Sequence, residues 1–125
     1  MDNRPLSPHL SIYRPQITSV LSIFHRLTGA GLFFSTILII IWIAAVAAGA
    51  EYYKSIKFFY SSPPLLLVLS VSLWALWYHF FTGLRHLYWD LGLGFNLRSV
   101  SLSGWIAITC SFLATLLNIL IINIF

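Results

Sequence analysis

The chain has 125 residues, of which 59% are hydrophobic and only 8% are charged. A water-soluble domain of this size shows more charged surface, so the composition argues against a soluble fold. The formal net charge is +4, but the basic residues are scattered singly beside apolar segments and form no cluster or stripe. This pattern argues against a nucleic-acid partner.

Three segments, residues 27–50, 58–84 and 99–125, contain no charged side chain. Each is longer than the roughly 20 residues that a helix needs to cross about 30 Å of hydrocarbon. Their apolar runs lack the alternation of barrel strands, and helices satisfy their backbone hydrogen bonds within lipid. We therefore predict an all-α integral membrane protein with three transmembrane helices, at about 22–49, 64–90 and 99–124.

The N-terminal segment differs from the rest of the chain. Pro5, Pro8 and Pro15, with polar residues between them, exclude a continuous helix over residues 1–20. We predict an extended segment at the membrane interface there, followed by a three-helix transmembrane anchor over residues 21–125. The segment has no apolar signal core and no transit-peptide pattern, so no cleavable address is visible.

The arginines indicate the orientation in the membrane. With three spans, the N-terminal segment and the loop after the second span lie on the same side. That side carries Arg4, Arg14, Arg26, Arg85 and Arg98, and the opposite side carries only Lys54 and Lys57. The positive-inside rule therefore places the N-terminus on the cytoplasmic or matrix side.

A polar stripe follows the second span. His79, Gly83, His86 and Asp90 lie within about 60° of one another on a helix. His79 lies about 9 Å of helix rise inside Arg85, which is too deep for an imidazole to reach the interface. A neutral imidazole at that depth suits axial ligation of haem iron, with a glycine one turn away leaving space for the porphyrin. The alternative is a helix–helix seam with hydrogen-bonded histidines.

A second polar group lies at the start of the first span. Ser22, Arg26 and Gly29 share a helix face, with His25 beside them. The hydroxyl and the guanidinium are donors suited to a quinone carbonyl or a haem propionate. The alternative is that Arg26 only extends to the interface and sets the topology. Because the second span returns to the same side, we expect the two polar groups to converge.

Several stretches together resemble a known family. They are the segment from Arg4 to Leu10 with Ile12 and Tyr13, the segment from Ser22 to Gly29, and the segment from His79 through Gly83 and His86 to Asp90. In these residues the chain resembles the cytochrome b membrane-anchor subunits of succinate dehydrogenase, respiratory Complex II. The third span is similar only in hydrophobicity and position.

The resemblance implies a subunit of a heteromeric helical bundle that contributes no catalytic residue for succinate. Its partners would be a second small membrane-anchor subunit, an iron–sulfur subunit, a flavoprotein subunit and membrane lipid. His79 would ligate the iron of haem b, opposite a histidine of the other anchor. Ser22 and Arg26 would bind ubiquinone, and His25, Arg26, Arg85 and His86 would lie around the haem propionates or the pocket.

The resemblance also implies a location, either the inner membrane of a mitochondrion or the cytoplasmic membrane of an alpha-proteobacterium. Three other functions stay open on the residues alone. They are a haem-free structural anchor, an anchor of fumarate reductase, and a small proton-relay protein that uses His25, His79, His86 and Asp90.

Overall fold

The computed structural model describes residues 13–124, apart from the side chain of Asn123. It contains four helices in chain order: α1 (Ile17–Ala48), α2 (Ala50–Tyr60), α3 (Pro63–Asp90) and α4 (Leu97–Ile124). No strand occurs over the described range, so the predicted all-α fold is confirmed. The first twelve residues, which include the motif from Arg4 to Leu10 and most of the predicted interfacial segment, lie outside the described residues.

Three of the helices, α1, α3 and α4, are long and apolar enough to cross a membrane. With 32, 28 and 28 residues, they measure about 48, 42 and 42 Å. Their outward faces are apolar and exposed, as shown by Phe33 at 67% and Phe34 at 66% of the accessible surface. Water does not stabilise so large an apolar surface, whereas hydrocarbon does. The three predicted transmembrane helices are confirmed.

The observed helix limits differ most from the predicted ones at the start of α1. We expect this helix from about residue 22, but it begins at Ile17, directly after Gln16, the last extended residue. Pro15 is the last helix-breaking residue before the first span, so residues 17–20 continue the helix and are not extended. Helix α3 starts at Pro63 and α4 at Leu97.

A short helix that the apolar pattern does not predict, α2, lies between the first two spans. Gly49 has φ 111°, a value that favours glycine, and this residue separates α1 from α2. Glu51 in the first turn and Lys57 in the last turn have the charges that the helix dipole favours. The Tyr60 hydroxyl donates to the Leu38 carbonyl at 2.6 Å, which ties α2 back to α1.

Helix α3 packs against both other spans. Towards α1, the Ser35 hydroxyl donates to the Ser72 hydroxyl at 2.7 Å, and the Tyr78 hydroxyl donates to the Leu21 carbonyl at 3.2 Å. On α4, Gly104 is buried where α1 and α3 both approach it: a Cβ atom there would lie 2.6 Å from Cδ1 of Leu21 on α1 and 3.8 Å from Nη2 of Arg85 on α3. Among the described residues, the side-chain hydrogen bonds between spans all involve α3, which bonds to α1 on one side and to α4 on the other.

Arg85 joins α3 to α4. Its guanidinium donates from Nε to the Ser103 hydroxyl at 3.0 Å and from Nη2 to the Val100 carbonyl at 2.9 Å. Its carbon Cζ also lies 4.0 Å from the centre of the Trp89 ring. The side chain is buried, at 6% exposure. A buried guanidinium with these partners holds the first turns of α4 against α3.

Replacing Arg85 with alanine should therefore destabilise the protein. We expect a loss of about 1.5–3 kcal/mol, the usual contribution of hydrogen bonds from a charged group. Thermal unfolding of the detergent-solubilised protein measures the effect. The matched control is Arg98→Ala, because Arg98 is an exposed arginine on α4 without a hydrogen bond among the described residues. Equal melting temperatures of the two variants would contradict the role of Arg85.

Candidate functional site

Three histidines meet in the seam between α1 and α3. The rings of His25 and His79 are stacked, with centroids 3.9 Å apart and planes 9° from parallel. The ring of His86 contacts His25 edge to face at 4.9 Å. All three side chains are half-buried. The expected convergence of polar residues from the first two spans therefore occurs through these histidines.

Among the described residues, the ring of His79 has hydrogen-bond partners at one nitrogen only. Its Nδ1 lies 3.1 Å from the His25 carbonyl oxygen and 3.5 Å from the Thr28 hydroxyl. A carbonyl oxygen only accepts, so Nδ1 carries the hydrogen and Nε2 of the neutral ring has a free lone pair. Metal-bound histidines are commonly oriented by such a bond from the second ring nitrogen to a backbone carbonyl.

Gly29 makes room for the His79 ring. A Cβ atom at position 29 would lie 2.9 Å from Cε1 of His79, closer than real Cβ contacts. Gly83, the glycine expected to leave space for a porphyrin, instead faces His25, and its Cβ would lie 3.8 Å from Cε1 of that ring. The glycine that lies against the His79 ring is therefore on α1, the helix opposite His79.

Thr82 is a site residue that the sequence pattern does not indicate. Its hydroxyl lies 2.7 Å from Nδ1 of His25, and the side chain is 1% exposed. Threonines are common on membrane helices, where their hydroxyls bond to the preceding turn, so only the spacing of Thr82 between His79 and His86 could have signalled its position.

Ser22 and Arg26 lie one turn apart on α1, next to His25. Ser22 is half-buried and Arg26 is exposed. Neither side chain has a hydrogen-bond or ion-pair partner within residues 13–124 of the structure. A hydroxyl and a guanidinium in this position could donate to a bound carbonyl or carboxylate oxygen.

Two other predicted residues lie apart from the cluster. The guanidinium of Arg85 faces α4 and not the histidines, so the structure does not bring it to the pocket with His25. Asp90 is exposed at the end of α3, and within the described residues it forms no ion pair. His86, by contrast, stays in the cluster and also contacts the Trp89 ring at 5.3 Å.

The geometry fits an axial haem ligand better than a bare metal ion. Among the described residues, no group of three or more His, Cys, Asp or Glu side chains could hold a metal. A haem iron needs only one or two ligands from protein, because the porphyrin supplies four. His79, with its free Nε2, its anchored Nδ1 and the adjoining Gly29, has the features of one such ligand.

The chain has three transmembrane helices, with a histidine cluster between α1 and α3 and the hydroxyl and guanidinium of Ser22 and Arg26 beside it. These are features of a small integral membrane protein that can hold a cofactor in a helix seam. Residues 1–118 match the family of succinate dehydrogenase/fumarate reductase transmembrane subunits, and the chain belongs to that family. The family resemblance found in the sequence motifs is confirmed.

Relatives named as cytochrome b subunits of succinate dehydrogenase are similar over most of their length. The b556 subunit of Rickettsia bellii is 42% identical over 93% of this chain and 90% of its own. The b560 subunit of Marchantia polymorpha is 40% identical over 94% and 90%. The b556 subunit of Paracoccus denitrificans is 34% identical over 98% and 95%.

A methyl group at position 29 should displace the His79 ring. We expect Gly29→Ala to weaken haem binding by about tenfold, because perturbing the support of a metal ligand typically has that effect or a larger one. The haem-to-protein ratio through successive detergent washes of the purified complex measures it. Gly31→Ala is the control, since nothing lies within 4 Å of a Cβ there. Equal haem retention by the two variants would contradict the predicted crowding.

Proposed function

We propose that this chain is a membrane-anchor subunit of succinate dehydrogenase that binds haem b through His79 and forms part of a ubiquinone site with Ser22 and Arg26. The observation that carries the proposal is the His79 ring, bonded through Nδ1 to the His25 carbonyl and open at Nε2. The names of the relatives, cytochrome b556 and b560 subunits of succinate dehydrogenase, support a haem-bearing role.

The stacking of the histidines supports a second anchor subunit. Two axial ligands of one iron lie on opposite faces of the porphyrin. His25 lies face to face with His79 at 3.9 Å, so it cannot be the opposite ligand of an iron bound to His79. A second protein ligand, if His79 holds the iron, would have to be another residue, and the resemblance assigns this role to a histidine of the second anchor subunit.

Ser22 and Arg26 are the proposed quinone ligands. A quinone carbonyl accepts hydrogen bonds, and the Ser22 hydroxyl and Arg26 guanidinium donate them. Arg26 keeps its charge at the edge of the membrane, so it also stabilises the negative charge that develops as the quinone is reduced. Haem b, when bound, takes up and releases single electrons close to this site.

The remaining assignments follow from the proposed complex. The arginine-rich side faces the cytoplasm or the mitochondrial matrix, where the iron–sulfur and flavoprotein subunits oxidise succinate and deliver electrons. The chain itself supplies no catalytic residue for succinate. Its membrane is the inner membrane of a mitochondrion or the cytoplasmic membrane of an alpha-proteobacterium.

One observation favours a second candidate, a haem-free anchor. Both His25 and His79 have hydrogen-bond partners inside the α1–α3 seam, as a purely structural histidine pair would. The family description also includes fumarate reductase, whose anchor would use the same helices with the reaction running in the reverse direction. The haem content of the purified complex distinguishes the haem-free anchor from the proposed function.

Replacing His79 with alanine should remove haem from the complex. The matched variant His25→Ala should retain it, because the His25 backbone carbonyl that orients His79 remains. The measurement is the haem-to-flavin ratio of each purified complex, with haem determined as its pyridine adduct. Haem retained by His79→Ala and lost from His25→Ala would assign the ligand to His25 instead.

Replacing Ser22 or Arg26 with alanine should slow quinone reduction. We expect a decrease in kcat/KM for ubiquinone of about tenfold or more, because a lost hydrogen bond to a charged group costs about 1.5–3 kcal/mol. Succinate oxidation by a water-soluble dye, which bypasses the anchor, should not change. Arg14→Ala serves as the control because Arg14 is an exposed arginine before α1. A normal quinone rate in Arg26→Ala would remove Arg26 from the site.

A further inference from the structure

Thr82 reaches the histidine cluster through its hydroxyl. Its Oγ1 lies 2.7 Å from Nδ1 of His25, and the side chain is almost fully enclosed, at 1% exposure. The same hydroxyl donates to the Tyr78 carbonyl at 2.6 Å and approaches the His79 carbonyl at 3.3 Å. Thr82 thereby links the backbone of α3 to a histidine of α1.

These contacts determine which nitrogen of His25 carries hydrogen. A hydroxyl has one hydrogen, and both carbonyls around Thr82 can only accept it. Oγ1 therefore accepts a hydrogen bond from His25, so Nδ1 of His25 is the protonated nitrogen. The ring is held at one edge by a short bond whose acceptor cannot rotate away without losing its own bond to Tyr78.

The position of His25 in turn bears on His79. The two rings are 9° from parallel at 3.9 Å, so the plane of one restricts the plane of the other. His79 has a second restraint from its bond to the His25 carbonyl at 3.1 Å. Side chain and backbone of His25 thus act on two different parts of the His79 ring, its face and its Nδ1 edge.

We propose that Thr82 is a positioning residue that, by holding His25 in its Nδ1–H form against His79, sets the plane of the His79 imidazole at the haem iron. The inference rests on the proposed function, since it assumes haem at His79. Hydrogen bonds and packing around a ligand are established means by which a protein tunes a bound metal. Thr82 adds a restraint that reaches the ligand through a second ring.

Loss of the Thr82 hydroxyl should release His25. A ring N–H left without its acceptor in the seam between two helices is costly, so the ring turns towards another acceptor. The stack on His79 then loosens while the bond from His79 to the backbone remains. Haem should stay bound, but with a less uniform orientation of the His79 plane.

Electron paramagnetic resonance of the oxidised complex tests this inference, because the low-field g value of low-spin ferric haem depends on the planes of its axial imidazoles. We expect Thr82→Val to shift and broaden the low-field line with the haem-to-flavin ratio unchanged. Thr82→Ser, which restores a hydroxyl, should return the line to that of the unsubstituted complex.

The matched control is Thr115→Val. Thr115 is also buried, and its hydroxyl makes the same type of bond, to the Ser111 carbonyl at 2.7 Å, but it lies on α4 and has no hydrogen bond to a histidine among the described residues. We expect no change in its spectrum. A shift in Thr115→Val equal to that in Thr82→Val would overturn the proposal, because the effect would then come from the lost helix bond alone.

A second variant covers the case in which Thr82→Val does not assemble. His25→Phe keeps an aromatic ring beside His79 but lacks the Nδ1–H, so it should also shift and broaden the line. An unchanged line with haem retained, in Thr82→Val or in His25→Phe, would overturn the role of Thr82. Absence of any low-spin haem line from the unsubstituted complex would instead overturn the proposed function, and this inference with it.

Discussion

The arrangement of the site depends on backbone carbonyls of α1 that accept hydrogen bonds from side chains of α3. The carbonyls of Leu21 and His25, one turn apart, accept from Tyr78 at 3.2 Å and from His79 at 3.1 Å. Within a membrane no water competes for these groups, so such bonds determine how the helices face each other. They require a close approach, which Gly29 permits at the level of His79.

Several features of the site follow from this approach. With Nδ1 of His79 bonded to the backbone, its Nε2 is the nitrogen left for a ligand. The same proximity stacks His25 on His79 and places Nδ1 of His25 beside Thr82. Ser22 and Arg26 remain without partners in the described range. Within the described residues, His25, His79 and Thr82 are therefore bonded in the seam, whereas Ser22 and Arg26 are not.

The sequence was sufficient for features that depend on periodicity and on charge. Charge-free runs longer than a membrane is thick predict the three spans, and helical spacing places His79 and His86 on one polar stripe. Because the second span returns to the side where the first begins, the sequence also predicts that the polar groups of the two spans converge. These predictions use only the residue spacing within each helix and the direction in which successive spans cross the membrane.

Features that depend on the rotation of one helix against another could not be predicted in the same way. Arg85 lies one position before His86 and about 100° away around the helix. Spacing within α3 does not indicate which helix lies on that side, and the guanidinium bonds to Ser103 and Val100 on α4. Gly29 on α1 lies against His79 and Gly83 on α3 lies against His25, because the contact across the seam, and not the spacing within α3, determines which ring each glycine meets. Thr82 carries no signal until His25 is placed beside it.

The central claim is that this chain carries haem through His79, and a visible difference spectrum of the purified, unsubstituted complex tests it most directly. The dithionite-reduced minus oxidised spectrum should show the bands of a low-spin b-type haem, at about one haem per complex. A spectrum without these bands, from a complex that still reduces ubiquinone with succinate, would contradict the claim and identify the chain as a haem-free anchor.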